Sequence, residues 1–120
     1  MARYVDGFLL PIPRKKVAAC RRIAAAAGKV WRKYGALEYC ECIADDPRPK
    51  GVKVLFPKII RARPGEVVFF SYIVFKSKRD RDRINAKVLK DPRIVKSMSK
   101  PMPFDVRRMA YAGFRAVVDL

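Results

Sequence analysis

At 120 residues, with 51% hydrophobic side chains and no low-complexity tract, the chain is expected to form one domain (residues 1–120) around one core. Lys and Arg number 28 against 11 acids, a net charge of +17, and histidine is absent, which removes the commonest general base, the commonest haem ligand and the usual nitrogen ligand of zinc. No apolar run approaches the ~20 residues of a spanning helix and no leader with a cleavage site opens the chain, so a cytoplasmic protein with no membrane contact is expected.

Arg3 to Leu10 reads as the first strand. Tyr4, Asp6, Phe8 and Leu10 share one face, and Val5, Gly7 and Leu9 the other. Pro11 and Pro13 cannot donate to a ladder and are expected to end it. A helix follows from about Arg14 to Tyr34, with Val17, Cys20, Ala24, Ala27, Trp31 and Tyr34 as its apolar stripe. Its outer face carries Arg14, Lys15, Lys16, Arg21, Arg22, Lys29, Arg32 and Lys33, with no acid among them. Gly28 costs ~1 kcal/mol relative to Ala inside a helix, so close packing against the sheet is expected there. Gly35 suits a left-handed cap.

Ala36 to Ala44 reads as the second strand, with Leu37, Tyr39, Glu41 and Ile43 on one face and Glu38, Cys40, Cys42 and Ala44 on the other. Asp45 to Gly51 is a loop by composition. Val52 to Ile60, broken by Pro57, is read as a short edge segment, and Arg63-Pro64-Gly65 as a turn. Val67 to Phe75 is the central strand, apolar on both faces: Val67, Phe69, Ser71, Ile73 and Phe75 point one way, Val68, Phe70, Tyr72 and Val74 the other. Ser77 with Asp80 resembles a capping box opening a helix over Lys78 to Lys90. A helical turn over Arg93 to Met98 comes next. A rigid loop over Lys100 to Asp105 then leads to a last strand, Arg107 to Val118.

The order strand, helix, strand, strand, helix, strand is the α+β, ferredoxin-like split βαβ arrangement, an antiparallel sheet with both helices on one face. The other face is also apolar and would leave a large exposed patch. A homodimer through the sheet face is the simplest cover, giving a dimeric α/β barrel.

Tyr4-Val5-Asp6-Gly7-Phe8, Trp31 with Gly35-Ala36-Leu37-Glu38-Tyr39, Phe70-Ser71-Tyr72, Asn85-Ala86-Lys87-Val88, Asp91-Pro92-Arg93, Met102-Pro103-Phe104-Asp105, Arg107-Arg108-Met109 and Tyr111-Ala112-Gly113-Phe114 follow one another along the chain. In these pieces and their order it resembles the DUF1428 family over nearly its whole length. The resemblance implies the dimeric α/β-barrel superfamily, whose members include antibiotic-biosynthesis monooxygenases, haem-degrading enzymes, muconolactone isomerases and purely dimer-forming modules. It carries no activity over to this chain.

The superfamily's usual ligand site is a pocket between sheet and helices, and polar residues on apolar strands are its candidates. Asp6 and Glu41 are candidate acid–base groups assisted by Tyr111, because a buried carboxylate must be paired, protonated or functional. The plainer alternative is ion pairing, for instance with Arg107 or Arg108. Trp31, Tyr39, Ser71, Tyr72, Asn85 and Phe104 are candidate ligand-binding residues; the aromatic ones serve equally well as core. The Met102–Asp105 loop fits either a lid or a brace for the dimer edge. Cys40 and Cys42 supply half a zinc site that nothing completes, and phosphate loops and nucleophile elbows are missing, so neither metal nor cofactor is expected. The expected function is small-molecule binding or cofactor-independent chemistry by a homodimer. The alternative is a polyanion-binding, nucleic-acid-binding or structural module using the basic helix faces.

Overall fold

A computed structural model describes all residues, 1–120. Four strands form one antiparallel sheet: β1 (Tyr4–Pro13), β2 (Glu38–Ile43), β3 (Glu66–Phe75) and β4 (Ala110–Arg115), in spatial order β2-β3-β1-β4. Helices α1 (Val17–Lys33) and α3 (Lys78–Val88) are the crossovers of the two halves. Shorter helices α2 (Phe56–Ile59) and α4 (Pro92–Met98) sit in the connections. This is the ferredoxin-like α+β fold expected from the element order.

Several boundaries differ from expectation, each for a local reason. β1 runs through both prolines, because the β4 ladder ends at Leu9–Ala110 while β3 stays paired as far as Pro13–Glu66. Beyond Leu9, β1 is an edge on its β4 side, where a missing N–H interrupts nothing. Residues Arg14–Lys16 form a 3-10 turn before α1. The segment around Pro57 is not an edge strand. It is α2, with a buried proline in the first turn, where its fixed φ and missing N–H suit a helix. Val106–Arg108 is also a 3-10 turn, opened by the Asp105 side chain accepting from the Arg107 N–H, so β4 begins later than the pattern indicates.

The caps follow the sequence more closely. Ser77 accepts the Asp80 N–H at 3.1 Å and opens α3. Asp91 accepts from the Arg93 backbone at 2.9 Å and opens α4. Gly35 takes φ +117°, the left-handed turn that ends α1.

Two apolar clusters fill the space between sheet and helices. Val30, Ala36, Ile73, Phe75, Ile84, Val88 and Ile94 form one, and Leu10, Ile12, Cys20, Val67 and Phe69 the other. The odd-numbered side chains of β3 therefore face the helices, as strand alternation requires. On the opposite face Phe70 remains 41% exposed and Phe114 55%.

Candidate functional site

Between the two clusters the sheet and helices leave an open-ended cavity of about 250 Å³. Its floor is sheet: Phe8, Leu10 and Ile12 of β1, Phe69, Ser71 and Ile73 of β3, Tyr39 and Glu41 of β2. Its walls are Cys20, Ile23, Ala24, Ala27 and Trp31 of α1, Leu89 at the end of α3, and Ile94, Ser97 and Met98 of α4. Met102, Phe104 and Met109 close the far side. The Met102–Asp105 loop thus contributes two side chains to the wall.

One polar cluster interrupts this apolar lining. Glu41 stands opposite Ser71 in the β2–β3 register, on the helix-facing side. The Ser71 hydroxyl donates to Glu41 Oε2, and the Tyr39 hydroxyl donates to Oε1 at 3.2 Å. Tyr39 is placed by α1. A Cβ on Gly28 would lie 2.5 Å from the Tyr39 ring, so only glycine lets the helix come this close. One turn along α1, Trp31 sits with its ring centroid 6.0 Å from that of Tyr39, and its Nε1–H donates to Asn85 Oδ1 at 2.9 Å. Burial, then the field of Glu41, holds the Tyr39 phenol well above the ordinary tyrosine pKa. The same two causes raise the Cys20 thiol.

Glu41 has no cationic partner. Asp6, Glu66, Asp80, Asp82, Asp91, Asp105 and Asp119 each meet an arginine or lysine. None of the 28 cations lines the cavity. An ionised carboxylate offers about four acceptor positions, so two protein donors leave capacity for a third group.

Asp6 has a different environment. It is 2% exposed, accepts from Arg81 Nη1 at 2.8 Å and from the Tyr111 hydroxyl at 2.9 Å, and does not reach the cavity. Its cation comes from α3, not from Arg107 or Arg108, which bind Asp105 and Glu66. Burial disfavours the Arg81 charge, but the hydrogen bond to Asp82 and the fields of Asp6 and Tyr111 outweigh it and raise its pKa. Tyr111 is raised by burial and by Asp6, against the pull of Arg81. Asp6 and Tyr111 therefore form an ion-paired corner, away from Glu41.

Of the other candidates, Trp31, Tyr39, Ser71 and Phe104 meet at the cavity. Tyr72 does not, because strand alternation turns it to the opposite face, beside Phe70 at 5.9 Å and across from Cys40. Asn85 buttresses Trp31 from behind without lining the wall. Cys40 and Cys42 hold their sulfurs 3.6 Å apart, also on the opposite face. No group of three or more Cys, Asp or Glu side chains converges on a metal position. Nor is any helix long and apolar enough to cross a membrane.

Reading single residues missed the methionines. Met98, Met102 and Met109, all but the first in the chain, line the cavity. Their crowding into twelve residues was a usable signal, since flexible thioethers suit adaptable pockets.

A family model described as "Protein of unknown function (DUF1428)" matches residues 3–106. Over 117 residues, 98% of each chain, the protein is 41% identical to "Uncharacterized protein YbaA" of Escherichia coli K12, and equally to its counterpart in Shigella flexneri. Among solved structures it resembles a dimeric ferredoxin-like protein from an uncultured marine organism, with a TM-score of 0.57, 10% identity and full coverage of both chains. It also resembles Rv0793 from Mycobacterium tuberculosis, with a TM-score of 0.55 and 16% identity over 100% of this chain and 98% of that one. At these identities the two structures speak for the fold alone.

Proposed function

The chain belongs to the DUF1428 family, and from that premise we propose that it is a small-molecule-binding protein of the cytoplasm, one domain per chain and a homodimer through the outer sheet face. The ligand enters the cavity between sheet and helices, its apolar body against Phe8, Phe69, Trp31 and the methionines, its polar end at Glu41. The observation that carries this reading is the lone carboxylate in an otherwise apolar cavity, held by Ser71 and Tyr39 and left without a counter-ion. In an enzymatic form of the same reading, Glu41 is the group that takes or gives a proton, with Trp31 and Tyr39 positioning the substrate.

Trp31 is the only tryptophan and stands on the cavity wall, so its emission reports occupancy directly. Titration with 2-phenylethanol, a one-ring apolar probe, is expected to quench or shift it saturably. A linear, non-saturating response shared by an Ala27→Phe variant that fills the cavity would refute the site.

The exposed Phe70 and Phe114 support the dimer, and the marine ferredoxin-like relative is itself described as dimeric. Sedimentation is expected to give twice 13.7 kDa for the native protein and a monomer for Phe70→Asp. A native monomer at micromolar concentration would reject the dimer.

A second reading has one specific support. Between Asp6 and Glu38 there is no acid, and the outer side of α1 and its 3-10 turn carry exposed Arg14, Lys15, Lys16, Arg21, Arg22, Lys29 and Lys33. Such a face suits polyanion binding with a steep salt dependence. Retention on nucleic acid that survives moderate salt and is lost when α1 lysines become glutamates would favour it over incidental charge.

A further inference from the structure

We infer that the ligand carries a protonated amine: the cavity selects a small organic ammonium, with Glu41 as its counter-ion and the Trp31 and Tyr39 rings beside it. This deepens the reading of the cavity as a ligand site and rests on it.

In a chain of +17, chance would put a lysine or arginine against most carboxylates, and the buried Asp6 and Asp91 each have an arginine at 2.8–2.9 Å. Glu38, Glu41, Asp45 and Asp46 have none, and of these four only Glu41 lines the cavity, where no cation stands. The two protein partners of Glu41 are hydroxyl donors, Ser71 and Tyr39. Donors of this kind fix the carboxylate's position without supplying a counter-charge.

Glu41 stands on the edge strand at the solvent-exposed mouth of the cavity, and a carboxylate there without a counter-ion favours a ligand that brings positive charge over one that brings a second negative charge. The neighbouring aromatics point the same way. Tyr39, hydrogen-bonded to Glu41, and Trp31, with its ring 6.0 Å from that of Tyr39, line the same cavity, and aromatic rings attract a cation that comes over them.

The positive exterior does not contradict this. Surface charge is screened within about 8 Å at physiological ionic strength, whereas the contact with Glu41 is direct. Size limits the rest of the molecule. An apolar cavity of about 150 Å³ accepts benzene, so about 250 Å³ admits one ring with a short aminoalkyl tail.

Three near-isosteric probes separate the terms: phenethylamine, which is cationic at neutral pH, neutral 2-phenylethanol, and anionic 3-phenylpropionate. Each is titrated against Trp31 emission in the native protein and in Glu41→Gln. The native protein is expected to bind the amine at least about threefold more tightly than the alcohol, with the anion weakest, because only the amine brings positive charge to the carboxylate and an exposed ion pair is worth a few-fold. Glu41→Gln is expected to remove that preference while changing alcohol affinity by no more than about threefold.

If the alcohol or the anion binds as well as the amine, or if Glu41→Gln leaves the amine preference intact, the inference falls while the ligand cavity stands. If none of the three binds, both fall. Should Glu41→Gln not fold, the three-probe order in the native protein decides alone.

Discussion

Two carboxylates on the helix-facing side of the sheet stand in different surroundings, Asp6 buried and Glu41 exposed. Asp6 on β1 and Glu41 on β2 both face the helices from strands rich in apolar residues, and each accepts a hydrogen bond from a tyrosine hydroxyl. At Asp6 the helix above supplies Arg81, itself held by Asp82 and Tyr111, and the charge is cancelled within the fold. At Glu41 the helix above supplies Ala24 and Ala27, which leave space instead of charge. A carboxylate becomes structural when a neighbouring element brings its counter-ion. It becomes a candidate site when that element withdraws.

The largest effect is expected at Asp6. Asp6→Asn keeps the shape but leaves the nearly buried Arg81 without its main-site partner. Removing one member of a buried pair costs about 3–5 kcal/mol, and retained Asp82 puts this case at about 3. Urea unfolding should show the midpoint fall at unchanged slope, and no change in cavity binding should remain once folding is accounted for.

Gly28→Ala comes next. Helix propensity improves by about 1 kcal/mol, but the new methyl meets the Tyr39 ring at 2.5 Å, and overpacking costs about 1–3 kcal/mol. A net loss of about 1 kcal/mol is expected in thermal unfolding. It should come with altered Trp31 emission, because Tyr39 has to move.

Alkaline titration sharpens the comparison through the two tyrosines. Tyr39 is raised by burial and Glu41 with no cation to oppose them, whereas Arg81 pulls Tyr111 back. For a group whose folded pKa is raised, the stability contribution is whole below the unfolded value, near 10 for tyrosine, and is lost as pH rises through the folded one. Melting temperature should therefore decline above about pH 10, and Glu41→Gln should make the decline shallower. Tyr111→Phe should leave the Tyr39 part in place.

The smallest effect is expected from Glu41→Gln on stability itself. With no ion pair to break, the change should stay within about 0.5–1 kcal/mol by chemical denaturation. A loss as large as that of Asp6→Asn would mean that Glu41 is also structural, and the contrast between the two carboxylates would disappear.

Much of this was legible in one dimension. Alternation along β2 and β3 put Tyr39 and Glu41 on one face and separated Ser71 from Tyr72, so the two could not both reach one cavity, but which face meets the helices follows only from the packing. The Ser77 cap was readable because it is a local backbone fact, and Gly28 because a glycine inside a helix signals close packing, though not that Tyr39 is what it meets. The ends of β1 and β4 were not, since whether a proline interrupts a strand depends on which neighbour is still paired there.

Composition and periodicity by themselves determined the element order, the ferredoxin-like class and the faces of the strands, because each follows from the repeat of side chains along a regular backbone. Only the tertiary structure decided that Arg81 answers Asp6 across 75 residues, that Asn85 secures Trp31 across 54, and that nothing cationic answers Glu41. Those outcomes depend on how helices lie over strands in space, and a sequence carries the charges without saying which of 28 will come within reach.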